Sequence, residues 1–135
     1  MKKLEALVKD LKSLGDKWYE TEQWKSLSNG KKELVRKYNR IQCEKERGFS
    51  IYEIITEKLF IEDITWENEY EDLYEAMKEL EINEFIFADH STACLRTLNF
   101  FINKGCKIKG NETYKKEELF GQSEKIDHQG IVIEL

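Results

Sequence analysis

Residues 84–109, EFIFADHSTACLRTLNFFINKGCKIK, decide the fold because their hydrophobic period changes twice within one short segment. The run from Glu84 to Ala88 is typical of a short strand that is covered on both faces. An apolar stripe at helical spacing follows, and Gly105 favours the end of that helix. The stripe consists of Cys94, Leu95, Leu98, Phe101 and Ile102. Residues 106–109 then return as a strand, so the segment predicts a right-handed parallel strand–helix–strand unit.

Two helices are predicted at the start of the chain. Apolar residues recur at helical spacing from Leu4 to Trp18, which predicts an amphipathic helix over residues 2–14. The dipeptide Asn29-Gly30 is typical of a turn or a helix stop, so a second helix is expected over residues 31–47.

Two further helices are predicted ahead of the first strand. Ser50 to Glu53 has the pattern of a capping box, with Phe49 placed as a hydrophobic staple, which predicts a helix reaching Leu59. Thr65 is the expected cap of the next helix. The buried stripe of that helix is Tyr70, Leu73, Tyr74, Met77 and Leu80. The first strand of the sheet is therefore expected at residue 84.

The last part of the chain alternates between polar and apolar stretches. Residues 110–130 are rich in Lys, Glu, Gly, Asn and Gln, and we expect a mobile excursion with one weak extended piece near Tyr114. Residues 131–135 form a further strand. The prediction is one domain of the α/β or α+β class, in which a helical part (1–82) packs on a small mixed sheet of three to four strands with a βαβ core (83–135).

The net charge of −5 at pH 7 conceals a division along the chain. Residues 1–48 carry 13 Lys and Arg against 8 Asp and Glu, residues 49–90 carry 2 against 13, and residues 91–135 carry 7 against 6. A strongly acidic middle attracts basic surfaces, so we expect a protein partner with a basic surface and disfavour nucleic acid. No window is long and apolar enough for a membrane span and the start has no signal-peptide core, so a cytoplasmic protein without membrane contact is expected.

The three cysteines, Cys43, Cys94 and Cys106, lie in no CxxC pair. Their odd number and their spacing predict neither a disulfide framework nor a zinc site. Cys94 and Cys106 are expected in the core. Because spacing identifies no nucleophile with a base and an orienting group, we predict no catalytic residue, no metal and no cofactor, and favour a non-enzymatic role.

A short motif pattern runs from Trp66 to Gly110. It consists of an acidic helix, the strand Phe85-Ile86-Phe87, a polar step from Ala88 to Ser91, an apolar helix and the return Gly105-Cys106-Lys107-Ile108-Lys109-Gly110. This pattern resembles a family of uncharacterised small accessory proteins encoded on plasmids and phages of Gram-positive bacteria. That family carries paired serines where this chain has Asp89-His90-Ser91. Small mobile-element proteins commonly antagonise host defence, so the resemblance implies binding to a bacterial defence protein such as a CRISPR effector.

A row of carboxylates is the main candidate for partner binding. The row is Glu67, Glu71, Asp72, Glu75 and Glu79. It recurs at helical spacing away from the apolar stripe, and Lys78 alone is expected to offer compensation. Such a row repels itself and suits a basic partner or the mimicry of a phosphate track. The alternative is a solvated surface without a partner.

The polar segment after the first strand is a second candidate site. It consists of Asp89, His90, Ser91 and Thr92. Ligands of open α/β sheets gather at the carboxyl ends of strands, and a helix N-terminus offers free N–H groups, so the segment suits a nucleotide or another small polar ligand. The alternative is a helix cap, in which Asp89 or Ser91 satisfies those same N–H groups.

Trp18 and Trp24, with Lys17 and Lys25 beside them, fit the pattern of aromatic and basic residues that binds single-stranded nucleic acid. The favoured interpretation is that the two tryptophans lie in the core or in an interface, where one of them can serve as a binding or homodimer contact. The favoured hypothesis is a non-catalytic protein that acts by protein–protein binding, with inhibition of a bacterial defence system as the implied role. Ligand binding at residues 89–92 and nucleic-acid binding by the N-terminal helices are the alternatives.

Overall fold

The computed structural model describes residues 1–47, 52–53, 58–62, 64, 69–89, 91–116 and 125–135, with the backbone alone for 44–47 and 52–53. Its helices are α1 (Lys2–Lys12), α2 (Glu22–Lys25), α3 (Asn29–Arg47), α4 (Glu69–Glu79) and α5 (Cys94–Asn103), and a 3₁₀ turn covers Trp18–Glu20. Its strands are β1 (Tyr52–Glu53), β2 (Leu59–Ile61), β3 (Glu84–Phe87), β4 (Lys107–Lys116) and β5 (Ile126–Glu134). The predicted class is confirmed, because helices pack on a small mixed sheet.

The sheet has the strand order β1-β4-β5-β3-β2. Strand β5 is antiparallel to both β3 and β4, so β3 and β4 run parallel with β5 between them. The predicted strand–helix–strand unit therefore has the right strand directions, but its two strands are not neighbours. The adjacent parallel pair is β2 and β3, which are connected through α4.

The helix predicted to reach Leu59 is wrong at both of its described ends, where Tyr52–Glu53 form β1 and Leu59–Ile61 form β2. All three residues of β2 are buried, and they pair with Phe85, Ile86 and Phe87. Leu59 and Ile61 belong to the main core whereas Phe60 belongs to a second cluster, as in a strand covered on both faces. Glu53 of the predicted capping box lies in β1, while Phe49, Ser50 and Thr65 lie outside the described residues.

The excursion predicted over residues 110–130 is largely β-structure. Strand β4 continues to Lys116 and β5 begins at Ile126, with residues 117–124 outside the described part. The strand register shifts between Ile108 and Gly110, where a bulge places Gly110 at a φ of 148°. Long stretches of both strands are exposed and polar, so they lack the apolar alternation that marks a strand in a sequence.

The main core joins the N-terminal helices to one face of the sheet. Its fully buried side chains include Leu4, Leu34, Leu73, Phe85 and Phe101. The predicted face of α1 is confirmed at Leu4, Val8 and Leu11, which are buried, but the helix ends at Lys12 and Leu14 is 43% exposed. In the described part of the chain, no helix has the length and apolar content needed to cross a bilayer.

Helix α5 is rotated relative to its predicted apolar stripe. Phe101 is buried as expected, but Leu95 is 72% exposed and Ile102 is 48% exposed. Thr97 is fully buried instead, and its hydroxyl donates a hydrogen bond to the Tyr70 hydroxyl at 3.0 Å. The helix ends before Gly105, which has a φ of 88°, as predicted.

Candidate functional site

Helices α3 and α4 approach each other at Gly30. A Cβ atom on this residue would lie 1.9 Å from the carbonyl oxygen of Asp72 and 3.0 Å from the Cβ of Ala76. Because the nearest atom belongs to the backbone, no side-chain rearrangement can make room, and the contact requires glycine.

The turn predicted at Asn29-Gly30 is wrong, because these two residues are the first of α3. Ser28 starts the helix, since its hydroxyl accepts a hydrogen bond from the Lys31 N–H at 3.3 Å. A local turn signal is overridden here by a helix cap one residue earlier and by the packing of Gly30 on α4.

A cleft of about 450 Å³ lies between these two helices. It is lined by Asn29, Gly30, Lys32, Glu33 and Arg36 from α3 and by Glu69, Asp72 and Leu73 from α4. The lining is mostly polar and carries both signs of charge. The cleft is the candidate functional site, because charged side chains of both signs line it next to the close backbone contact at Gly30.

The basic side chains on the α3 wall of the cleft pack over the ring of the buried Trp24. The Arg36 guanidinium lies 5.3 Å from the Trp24 ring centroid and pairs with Glu33, while Lys32 Nζ lies 6.0 Å from the same ring. Trp18 packs edge-on against Trp24 at 5.2 Å. Arg36 is therefore neutralised, whereas Lys32 has no ion pair within the described residues.

The two tryptophans differ in exposure. Trp24 is 7% exposed and belongs to the core, whereas Trp18 is half-buried. Because Trp24 is covered by Trp18, Lys32 and Arg36, it supports the cleft wall and presents no open ring for base stacking.

The carboxylates of α4 fall into two groups. Glu71 pairs with Lys104 at 2.7 Å and Glu79 pairs with Lys31 at 2.8 Å, so a lysine just after α5 and a lysine of α3 neutralise part of the predicted row. The hydrogen bond with Glu71 raises the pKa of Lys104 above its ordinary value. The expectation that Lys78 alone compensates the row is wrong.

Asp72 and Glu75 form the second group. Both are exposed, and neither has an ion pair within the part of the chain that the structure describes. Asp72 lines the cleft, whereas Glu75 lies outside its lining. Glu67 of the predicted row lies outside the described residues.

The strand-end segment uses its polar groups locally. Asp89 Oδ1 accepts a hydrogen bond from the Ser91 N–H at 2.7 Å, and Ser91 Oγ accepts one from the Ala93 N–H at 3.3 Å. Both bonds lie in the turn before α5, whose N-cap residue Ala93 has no side-chain cap hydrogen bond, so the cap predicted on Asp89 or Ser91 is not formed. Thr92 is exposed, and His90 lies outside the described residues.

A polar cluster on the other face of the sheet was not predicted. Lys58 pairs with Glu112 at 2.7 Å, and Tyr114 stacks on His128 with 5.7 Å between ring centroids. The hydrogen bond with Glu112 raises the pKa of Lys58. No sequence signal could have found the cluster, because its members come from β4, β5 and the residue before β2, which no motif links.

The cysteine thiols are free in the structure, and Cys106 is buried while Cys43 and Cys94 are half-buried. Burial raises the pKa of the Cys94 and Cys106 thiols, which lowers their thiolate fraction. Within the described ranges, no group of three or more His, Cys, Asp or Glu residues is placed to hold a metal ion.

One family model matches the chain, and its description is "Domain of unknown function (DUF7698)". The match covers residues 49–135, which include the whole sheet, α4 and α5 but not the α3 wall of the cleft. No curated protein and no solved structure matches the chain. The resemblance predicted from the sequence was to an uncharacterised family over the C-terminal half. The matched family is also of unknown function and covers the same part of the chain. Since the match spans more than half of its length, the chain belongs to the DUF7698 family of domains of unknown function.

Proposed function

We propose that this chain is a non-catalytic protein-binding domain that holds a basic surface of its partner against α4 through Asp72 and Glu75. The observation that supports the proposal is the contrast within one helix: these two carboxylates are exposed and lack ion pairs among the described residues, whereas Glu71 and Glu79 are already paired. A partner lysine or arginine can approach Asp72 and Glu75 without breaking an existing ion pair.

The charge of the surrounding chain supports the same partner. Residues 49–90 carry 13 acidic against 2 basic residues, so the field around α4 is negative. Such a field accelerates the approach of a basic protein and depends on ionic strength. Binding is therefore expected to weaken as salt is added.

The class of target is a further part of the proposal. On the resemblance to plasmid- and phage-encoded accessory proteins, we propose a bacterial defence protein, such as a CRISPR effector, as the target and the cytosol as the place of binding. Purified defence effectors with basic nucleic-acid channels are the first candidates, because an acidic row can occupy a surface that normally holds phosphates.

Two matched double variants test the proposal. Asp72→Asn/Glu75→Gln and Glu71→Gln/Glu79→Gln each remove two carboxylates from α4, so they have the same net charge. We expect the first to lose at least about tenfold in affinity for the captured protein and the second to bind like the wild type within about twofold. The measurement is a quantitative pull-down from host lysate and from purified effectors, with circular dichroism to confirm that both variants are folded. Equal capture by both variants would contradict the proposal.

A further inference from the structure

The α3–α4 cleft carries one uncompensated charge of each sign, and we propose that it binds a zwitterionic small molecule of the α-amino-acid class. The ligand's ammonium group binds Asp72, and its carboxylate binds Lys32 and the first turn of α3. The inference goes beyond the proposed function, because it assigns a small ligand to the cleft and not a protein to the helix surface.

The arrangement of charge is the first argument. Lys32 lies on the α3 wall and Asp72 on the α4 wall, and neither has an ion pair within the described residues. They line the same cleft without pairing with each other, so a ligand that carries both charges can bridge them. Glu33 and Arg36 pair with each other and add no net charge to this part of the lining.

The helix ends decide the direction of the ligand. Asn29 and Gly30 belong to the first turn of α3, where backbone N–H groups have no acceptor within the helix and favour negative charge. The first turn of α3 contains no acidic residue, whereas α4 presents Glu69 and Asp72 to the cleft from its own first turn. The carboxylate of the ligand therefore faces α3 and its ammonium group faces α4.

The size and the charge balance narrow the ligand class. A volume of about 450 Å³ lies within the range of about 300 to 1,000 Å³ that is typical of small-molecule sites. A simple anion is repelled by Asp72 and Glu69, and a simple cation is repelled by Lys32 and the start of α3.

The test uses L-leucine and two analogues that each lack one charge. L-leucinamide lacks the carboxylate, and N-acetyl-L-leucine lacks the ammonium group. Titration is followed by ¹H–¹⁵N spectra of the full chain, with the amides of Asn29, Gly30 and Leu73 as reporters. We expect saturable shifts with L-leucine at a dissociation constant of about 1 mM, and at least about tenfold weaker binding of either analogue.

Variants locate the site. Lys32→Gln and Asp72→Asn are each expected to weaken L-leucine binding by at least about tenfold, while Glu71→Gln, which lies on the other side of α4 and outside the cleft lining, leaves it unchanged. The variants are folded if the ¹H–¹⁵N signals of residues away from the cleft overlay those of the wild type. Lys32→Gln also separates the two proposals, because loss of a cation does not weaken the capture of a basic protein.

Several outcomes would overturn the inference. The first is the absence of any saturable shift with L-leucine. A second is binding of L-leucinamide as tight as that of L-leucine, which would make the cleft a cation site. A third is equally tight binding of N-acetyl-L-leucine, which would make it an anion site. Unchanged binding by Lys32→Gln would exclude the assigned contact.

Discussion

The two sides of α4 differ in how completely their polar groups are paired. On the α5 side, Thr97 donates to Tyr70 at 3.0 Å, Tyr70 packs on Phe100 at 5.3 Å, and Lys104 pairs with Glu71. On the α3 side, a backbone contact at Gly30 holds the helices together. Beside that contact, Asp72 and Lys32 face a cleft without ion pairs in the described part of the chain.

This difference separates anchoring from binding on one helix. Paired groups add stability but have little left to offer a ligand, because a partner must first break their contacts. Unpaired groups can bind only if the surrounding backbone holds them in place. On the α3 side, the close approach of Gly30 to the Asp72 backbone fixes the helix spacing without using the side-chain charges.

The largest expected effect on stability is that of Gly30→Ala, which places a Cβ atom in the close contact between α3 and α4. The added Cβ would lie 1.9 Å from the Asp72 carbonyl oxygen, so the two helices must move apart. We expect a loss of about 2 to 3 kcal/mol in the free energy of unfolding, measured by urea denaturation. The control is Asn29→Ala, an exposed neighbour expected to change stability by about 0.5 kcal/mol or less. Equal stability of the two variants would show that the close contact is absent.

A smaller effect is expected on the α5 side from Thr97→Val, which leaves the Tyr70 hydroxyl without its donor. The free energy of unfolding should fall by about 1 kcal/mol, because both residues of this hydrogen bond are buried. Tyr70→Phe tests the other partner, and the double variant completes a double-mutant cycle. We expect the double variant to lose clearly less than the sum of the single losses. Strictly additive losses would mean that the two hydroxyls do not interact.

The smallest effect is expected from Lys104→Met, which removes an exposed ion pair. The hydrogen bond with Glu71 raises the pKa of Lys104, so the pair's contribution is fully present below the unfolded pKa and is lost as pH rises through the folded pKa. The difference in unfolding free energy between wild type and variant should therefore be constant from neutral pH to mildly alkaline pH and vanish in strongly alkaline solution. If the difference in unfolding free energy disappeared near pH 7, the stabilisation would come from a group other than Lys104.

The elements that were predicted correctly are those with a long local pattern. The face of α1 and the end of α5 at Gly105 follow from spacing and backbone preference alone. Strand β2 was missed because it has only three residues, and its apolar run also fits a helix. The burial of Thr97 was missed because its partner, Tyr70, comes from another helix.

The candidate site was predicted only in part. The acidic row was correctly identified as a pattern, and Asp72 and Glu75 belong to it. The lysines that neutralise Glu79 and Glu71 come from α3 and from the end of α5, so no spacing within α4 reveals them. The cleft itself needs two helices that are far apart in the sequence, and the local signal at Asn29-Gly30 favoured a turn where the chain starts α3.

The most direct test of the difference between the two groups of carboxylates uses a defined basic probe. Calorimetry at low salt can compare the binding of a lysine hexapeptide to the Asp72→Asn/Glu75→Gln and Glu71→Gln/Glu79→Gln variants, which have the same net charge. We expect the first variant to bind at least about tenfold more weakly than the wild type and the second to stay within about twofold. Equal weakening of both variants would contradict the claim that the unpaired carboxylates are the binding surface.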